Sequence, residues 1–148
     1  MKVYLASPFF NVSEINIYNK VIALLREEQD IDLFVPREHT IPNGWDMPNH
    51  IWAENVFAVD ILGIQKSDVV VVLNFGMYSD SGTAWECGYA YALGKTVVNI
   101  VVGYDSDDYS LMMLNGSTRV FSLGDLEAFP LTALLKGKVE CRADFIQK

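Results

Sequence analysis

Two cysteines, two histidines and eleven basic residues are a thin supply for 148 residues, and each shortage argues against a class of function. Cys87 and Cys141 cannot build a disulfide framework, so a reduced, cytoplasmic setting is expected. His39 and His50 stand apart, with no cysteine or carboxylate at metal-ligand spacing, so no metal site is expected. Eleven Lys and Arg against 19 Asp and Glu give a net charge of −8 with no basic stripe. That argues against nucleic acid and anionic membrane surfaces as partners. No apolar run approaches the ~20 residues that cross a bilayer. The opening Met1-Lys2-Val3-Tyr4-Leu5-Ala6 has neither h-region nor cleavage site, and reads as a strand rather than a signal peptide.

What is present is a globular composition, 51% hydrophobic and 20% charged, without repeat, linker or low-complexity tract. One domain over residues 1–148 is expected, large enough to bury a full core. Acidic sites suit neutral or weakly basic ligands such as sugars and nucleobases.

Hydrophobic spacing sets out alternating elements. Residues 2–6 read as a strand, and 13–28 as an amphipathic helix with Ile17, Val21, Leu24 and Leu25 at helical spacing. A second strand is expected at 31–35. Pro36 to Pro48, with Pro42, Asn43 and Gly44, reads as a loop long enough to act as a lid. Residues 49–65 read as a helix burying Trp52, Val56, Val59 and Leu62. Strands at 68–74, 96–102 and 119–122, helices at 83–93 and 124–135, and a loop from Tyr104 to Ser110 complete the series. Such alternation predicts a doubly wound α/β fold: five parallel strands in the flavodoxin-like order 2-1-3-4-5, with helices on both faces.

The richest stretch is 69–90. Val69 to Leu73 reads as a strand buried on both faces, and a polar loop then enters a helix through Asp80-Ser81-Gly82-Thr83-Ala84-Trp85-Glu86. Ligands of open parallel sheets sit beyond the carboxyl ends of the strands. Asp80 and Glu86 therefore converge on the expected site, as does the first loop, Ser7-Pro8-Phe9. Ordinary roles stand beside the chemical ones. Thr83-x-x-Glu86 fits a capping box, in which the glutamate only ties off the helix. Asp80 fits a turn before Gly82. Asp60 shares a helix side with Val56 and Val59, where an unpartnered charge is costly, or is an exposed helix charge. Tyr4 and Phe9 fit plain packing.

Tyr4-Leu5-Ala6-Ser7-Pro8-Phe9-Phe10, Asp60 within Asn55-Val56-Phe57-Ala58-Val59-Asp60, and Asp80 through Glu86-Cys87-Gly88 together resemble the nucleoside 2-deoxyribosyltransferases. The similarity continues through Gly94-Lys95 and Leu111-Met112 and covers roughly residues 1 to 129. The resemblance implies transfer of 2-deoxyribose between nucleobases in nucleotide salvage, without a metal or organic cofactor. It implies a covalent deoxyribosyl intermediate on Glu86 and retained β-configuration. Asp60 and Asp80 would bind the base and move its proton, Tyr4 would hydrogen-bond Glu86, and Phe9 would stack on the base. Glu86, placed in the first helical turn, is expected to be held ionised by the helix dipole.

Two positions depart from the family pattern. Thr40 appears where the family commonly has a base-contacting Gln, with His39 as a substitute. Ser110-Leu111-Met112 replaces an Asn-Leu-Met segment whose Asn holds the sugar 5′-hydroxyl, often from a neighbouring subunit; Asn115 is a nearby alternative. A homo-oligomer with shared sites is implied. Phe9, Phe10, Trp45 and Met112 would exclude water from the intermediate.

Two other functions compete. A 2′-deoxynucleoside 5′-monophosphate N-glycosidase needs a phosphate cradle. The first loop, Ala6-Ser7-Pro8-Phe9-Phe10-Asn11, has no glycine or arginine. A non-catalytic nucleoside-binding module would tolerate Glu86→Gln.

Overall fold

The computed structural model describes residues 1–76, 79–103 and 109–137; most of the expected 104–110 loop, and Cys141, lie outside them. Five strands, β1 (Lys2–Ala6), β2 (Asp32–Phe34), β3 (Val69–Asn74), β4 (Thr96–Val101) and β5 (Arg119–Ser122), pair in parallel. Their order, β2-β1-β3-β4-β5, is the flavodoxin-like one expected. The helices are α1 (Val12–Glu27), α2 (Asn49–Lys66), α3 (Ser81–Ala92), α4 (Leu111–Asn115), α5 (Leu123–Ala128) and α6 (Leu131–Leu135).

The valine run explains the centre of the sheet. Every residue of β3 is buried, because alternate side chains meet helices on opposite faces. Val69, Val71 and Leu73 pack with Tyr18, Val21 and Leu25 of α1 and with Leu126, Leu131 and Leu134 of α5 and α6. Val70 and Val72 pack with Tyr4, Ile64 of α2, and Cys87 and Ala90 of α3. The carboxyl ends of β1 and β3, side by side in the sheet, open onto the loops carrying Ser7-Pro8-Phe9 and Ser79-Asp80.

Long-range polar contacts complete the frame. Glu28, just past α1, accepts hydrogen bonds from the backbone N–H of Leu131 (2.5 Å) and Thr132 (3.1 Å) and from the Thr132 hydroxyl (2.8 Å). It thus caps α6, whose own N-cap Pro130 supplies no side-chain bond. No helix among the described residues is long and apolar enough to cross a membrane.

Four expectations need correction. The helix expected over 124–135 is two short ones, because Pro130 lacks an N–H and drives Phe129 out of helical geometry (φ −136°, ψ 138°). The second strand is shorter than 31–35. The 36–48 loop is not without structure: it holds two single 3-10 turns, Pro36–Glu38 and Gly44–Asp46. The expected core face of α2 is wrong at both ends, since Trp52 is 46% and Leu62 48% exposed while Gly63 and Ile64 are buried.

Candidate active site

The start of α3 decides what Glu86 does. Asp80, not Thr83, is the N-cap: its Oδ2 accepts from the Thr83 backbone N–H (2.8 Å) and hydroxyl (3.2 Å). A carboxylate is a stronger cap than a hydroxyl, and Gly82 lets it fold back. A Cβ at position 82 would meet Asp80 Oδ2 at 2.9 Å. The helix therefore begins two residues earlier than expected, at Ser81, and Glu86 falls in its second turn. The capping-box reading of Glu86 does not hold. Neither does its stabilisation by the helix dipole, which fades within the first turn.

Glu86 is instead bound across the sheet. The hydroxyl of Tyr4, a fully buried residue, donates to Glu86 Oε1 at 2.6 Å. Burial pushes the Glu86 carboxyl up to about 7. The Tyr4 hydrogen bond opposes that shift, and the charges of Asp60 and Asp80 add to it. Burial and the Glu86 charge together push the Tyr4 hydroxyl far above its ordinary value, so it stays a donor.

Asp60 reaches the same place from α2. It is half-buried, and burial raises its carboxyl above the usual range while the nearby His39 charge lowers it. Gly63, one turn on, explains how α2 comes so close. A Cβ there would lie 2.8 and 2.9 Å from Phe34 ring atoms and 3.0 Å from Tyr4 Cδ2.

Between α2 and α3 lies a cavity of about 420 Å³. Trp52, Val56, Phe57 and Ile61 of α2 and Trp85 of α3 form its apolar wall, and Asp60 and Glu86 are its charged groups. Phe57 and Trp85 meet across it with ring centroids 5.5 Å apart. Trp52 is thus a wall residue rather than a core residue. An apolar slot with two converging carboxyls is a fit for a flat heterocycle joined to a polar group.

The other expected site residues lie away from this wall. Phe9 is half-buried against Tyr18 (5.5 Å) and Phe10 (5.3 Å), with the Arg37 guanidinium 5.7 Å above its ring. The first loop thus lacks arginine in sequence but has Arg37 beside it in space. Thr40, Phe10 and Trp45 are exposed. Ser110 is the N-cap residue of α4, without a capping bond from its side chain. Met112 is 76% exposed, and Asn115 is exposed with its side-chain amide donating to Leu111 O (2.9 Å). Sequence reasoning missed Trp85, Phe57 and Gly63 as site residues. Only the glycine inside an apolar helix was a usable signal.

A family model described as nucleoside 2-deoxyribosyltransferase matches residues 3–123. The chain belongs to that family. The match spans Tyr4, Asp60, Asp80 and Glu86, and extends through Phe9, Thr40, Ser110, Met112 and Asn115. Family membership makes the chain an enzyme of nucleoside deoxyribosyl transfer or a related N-glycosidase activity. A nucleoside deoxyribosyltransferase of Lactobacillus leichmannii is 25% identical over 138 residues, 86% of this chain and 87% of that protein. A 2-deoxyribosyltransferase structure from Bacillus psychrosaccharolyticus is 30% identical with a TM-score of 0.75, covering 90% of this chain and 96% of that one. A CMP N-glycosidase of Clostridium botulinum shares the fold at a TM-score of 0.60 and 16% identity, covering 91% and 99% of the two chains.

Proposed function

We propose that this deoxyribosyltransferase-family enzyme moves 2-deoxyribose from one nucleobase to another through a covalent deoxyribosyl ester on Glu86. The observation that carries the reading is the part-buried Glu86–Tyr4 pair at the wall of an apolar cavity shared with Asp60. Tyr4 occupies Oε1, which leaves Oε2 to attack the anomeric carbon. A carboxylate whose conjugate acid lies near neutrality is more nucleophilic than an ordinary one. As the C1′–O bond forms, the C1′–N bond breaks, its electron pair goes to the base nitrogen, and Asp60 supplies the proton. In the return half, the arriving base gives its N–H proton to Asp60 and attacks C1′, and Glu86 leaves as carboxylate. Each displacement inverts C1′, so the β-configuration returns.

The remaining roles rest on the family match. Asp80 binds substrate through Oδ1, because Thr83 engages Oδ2. Phe9 and Thr40 close the site from the loops after β1 and β2. Ser110, Met112 and Asn115 stand on or beside the exposed α4, where they serve a neighbouring subunit's site. No metal or organic cofactor takes part. The setting is cytoplasmic nucleotide salvage.

The test is mass spectrometry of enzyme quenched during turnover of a slow deoxynucleoside. A deoxyribosyl adduct on the peptide carrying Glu86 is expected, and an adduct on another residue overturns the assignment. The homo-oligomer is checked separately. Trp52, Phe57, Leu62 and Trp85 leave α2 and α3 with large exposed apolar side chains, which a partner copy would cover. Sedimentation at assay concentration is expected to show an oligomer; an active monomer contradicts it.

A further inference from the structure

Each helix bordering the cavity supplies rings and one carboxyl to it: Phe57 and Asp60 come from α2, Trp85 and Glu86 from α3. Phe57 and Asp60 are three residues apart, on one side of their helix, and Trp85 directly precedes Glu86. The Trp85 indole is half exposed, and an exposed side chain ordinarily samples several rotamers. This one is held. Tyr89, one turn on in α3, stacks on it with ring centroids 5.2 Å apart and planes 16° from parallel. The Tyr89 hydroxyl accepts from Gln65 Nε2 of α2 at 2.8 Å, and the Gln65 carbonyl accepts from Lys95 Nζ at 2.6 Å. Phe57 meets the indole from α2 at 5.5 Å and 55°. The indole therefore faces the cavity with the surface that Tyr89 leaves free.

Phe9, to which the family pattern gives base stacking, is engaged elsewhere. Its ring meets Tyr18 at 5.5 Å and Phe10 at 5.3 Å, lies 5.7 Å from the Arg37 guanidinium, and does not line the cavity. It packs with Tyr18 and Val21 on the α1 face of the sheet. The cavity lies on the other face, where Ile64 joins its lining and packs with Tyr4 and Cys87.

We propose that Trp85 is the platform on which the exchanging base stacks, in place of Phe9, and that Tyr89 and Gln65 are positioning residues that hold its indole from outside the cavity. The proposal rests on the transferase reading above. Exchange requires one site to hold a departing base and then a different arriving one. Stacking suits that demand, because every nucleobase has a π-face and none needs a particular pattern of donors and acceptors to use it. A ring already held in place also loses little side-chain freedom when the base lands on it.

The test is base exchange with thymidine as donor and adenine as acceptor. Trp85→Leu is expected to raise KM for adenine about tenfold while kcat stays within about twofold. Trp85→Phe keeps a ring and is expected to recover most of that loss. Phe9→Leu is expected to raise KM for adenine less than Trp85→Leu does. Tyr89→Leu removes the stack on Trp85 and is expected to raise it about threefold; Tyr89→Phe, which loses only the Gln65 bond, raises it less. In Trp45→Phe/Trp52→Phe, Trp85 is the sole tryptophan, and adenine is expected to quench its fluorescence. An unchanged KM in Trp85→Leu or Tyr89→Leu overturns the proposal, and so does a larger rise in Phe9→Leu. A Trp85→Leu loss that Trp85→Phe does not recover, or that comes with a smaller particle in sedimentation, makes Trp85 a packing or interface residue and overturns it too. Absence of transfer in the wild type would overturn the transferase reading, while the quenching would still decide whether the base lands on Trp85.

Discussion

Glu86→Gln is expected to lose deoxyribosyl transfer by roughly four orders of magnitude and, at pH 8, to be more stable than the wild type. The two effects share one cause. Burial raises the Glu86 carboxyl from 4.5 to about 7, so between those values the folded protein binds a proton that the unfolded chain has released. Stability attributable to this group is therefore greatest below about 4.5 and is lost as pH rises through about 7. A glutamine has no charge to bury and still offers an oxygen to the Tyr4 hydroxyl. The gain at pH 8 is about 2–3 kcal/mol, read from urea unfolding, and shrinks as pH falls from about 7 toward about 4.5. Glu86→Ala behaves differently, since it leaves the buried Tyr4 hydroxyl without its acceptor at a cost of about 1–3 kcal/mol. With Glu86 as the proposed nucleophile, kcat/KM of the wild type is expected to show an acid limb, falling below about pH 7 as its carboxyl protonates. A Gln variant that is active, or destabilised at pH 8, contradicts the assignment.

The second large effect concerns the sugar. Deoxyadenosine is expected to react at least on the order of a hundredfold faster than adenosine, a difference of about 2.7 kcal/mol in the barrier. A 2′-hydroxyl withdraws electrons from the carbon beside it, where the transition state gathers positive charge. It also projects toward the face from which Glu86, as the proposed nucleophile, would attack. Steady-state rates on the two nucleosides decide this, and comparable values contradict it.

The fold was legible in the sequence because four consecutive valines leave β3 only one place to go, the middle of a parallel sheet covered on both faces. Strand order followed from the spacing of the elements around it. Ends of elements were less legible. Pro130 splits the last helix, yet the apolar spacing of Leu126, Leu131 and Leu134 runs on across the break. Helix α2 misled for a different reason. Apolar periodicity records that a side chain avoids water, and Trp52 avoids it partly by facing a cavity rather than a core.

The site divides in the same way. Glu86, Asp60 and Tyr4 were found through the family pattern, and the structure brings them together around one cavity edge. Their charge states were not legible, because they depend on burial that emerges only when α2 packs through Gly63 and α3 starts at Asp80. Thr83-x-x-Glu86 and Asp80-x-x-Thr83 both satisfy capping rules locally. The bonds from Thr83 to Asp80 Oδ2 decide between them, and Tyr4, 82 residues away in the chain, takes up Glu86.

Base exchange itself is the most direct measurement. Incubating the protein with thymidine and adenine, and following products by chromatography, is expected to yield β-deoxyadenosine and thymine, with free deoxyribose only a minor product. The expectation rests on the apolar wall of Trp52, Phe57 and Trp85, which suits a stacked base better than water. Thymidine consumption at the same rate with or without adenine, with only deoxyribose accumulating, would contradict transfer and make the protein a hydrolase.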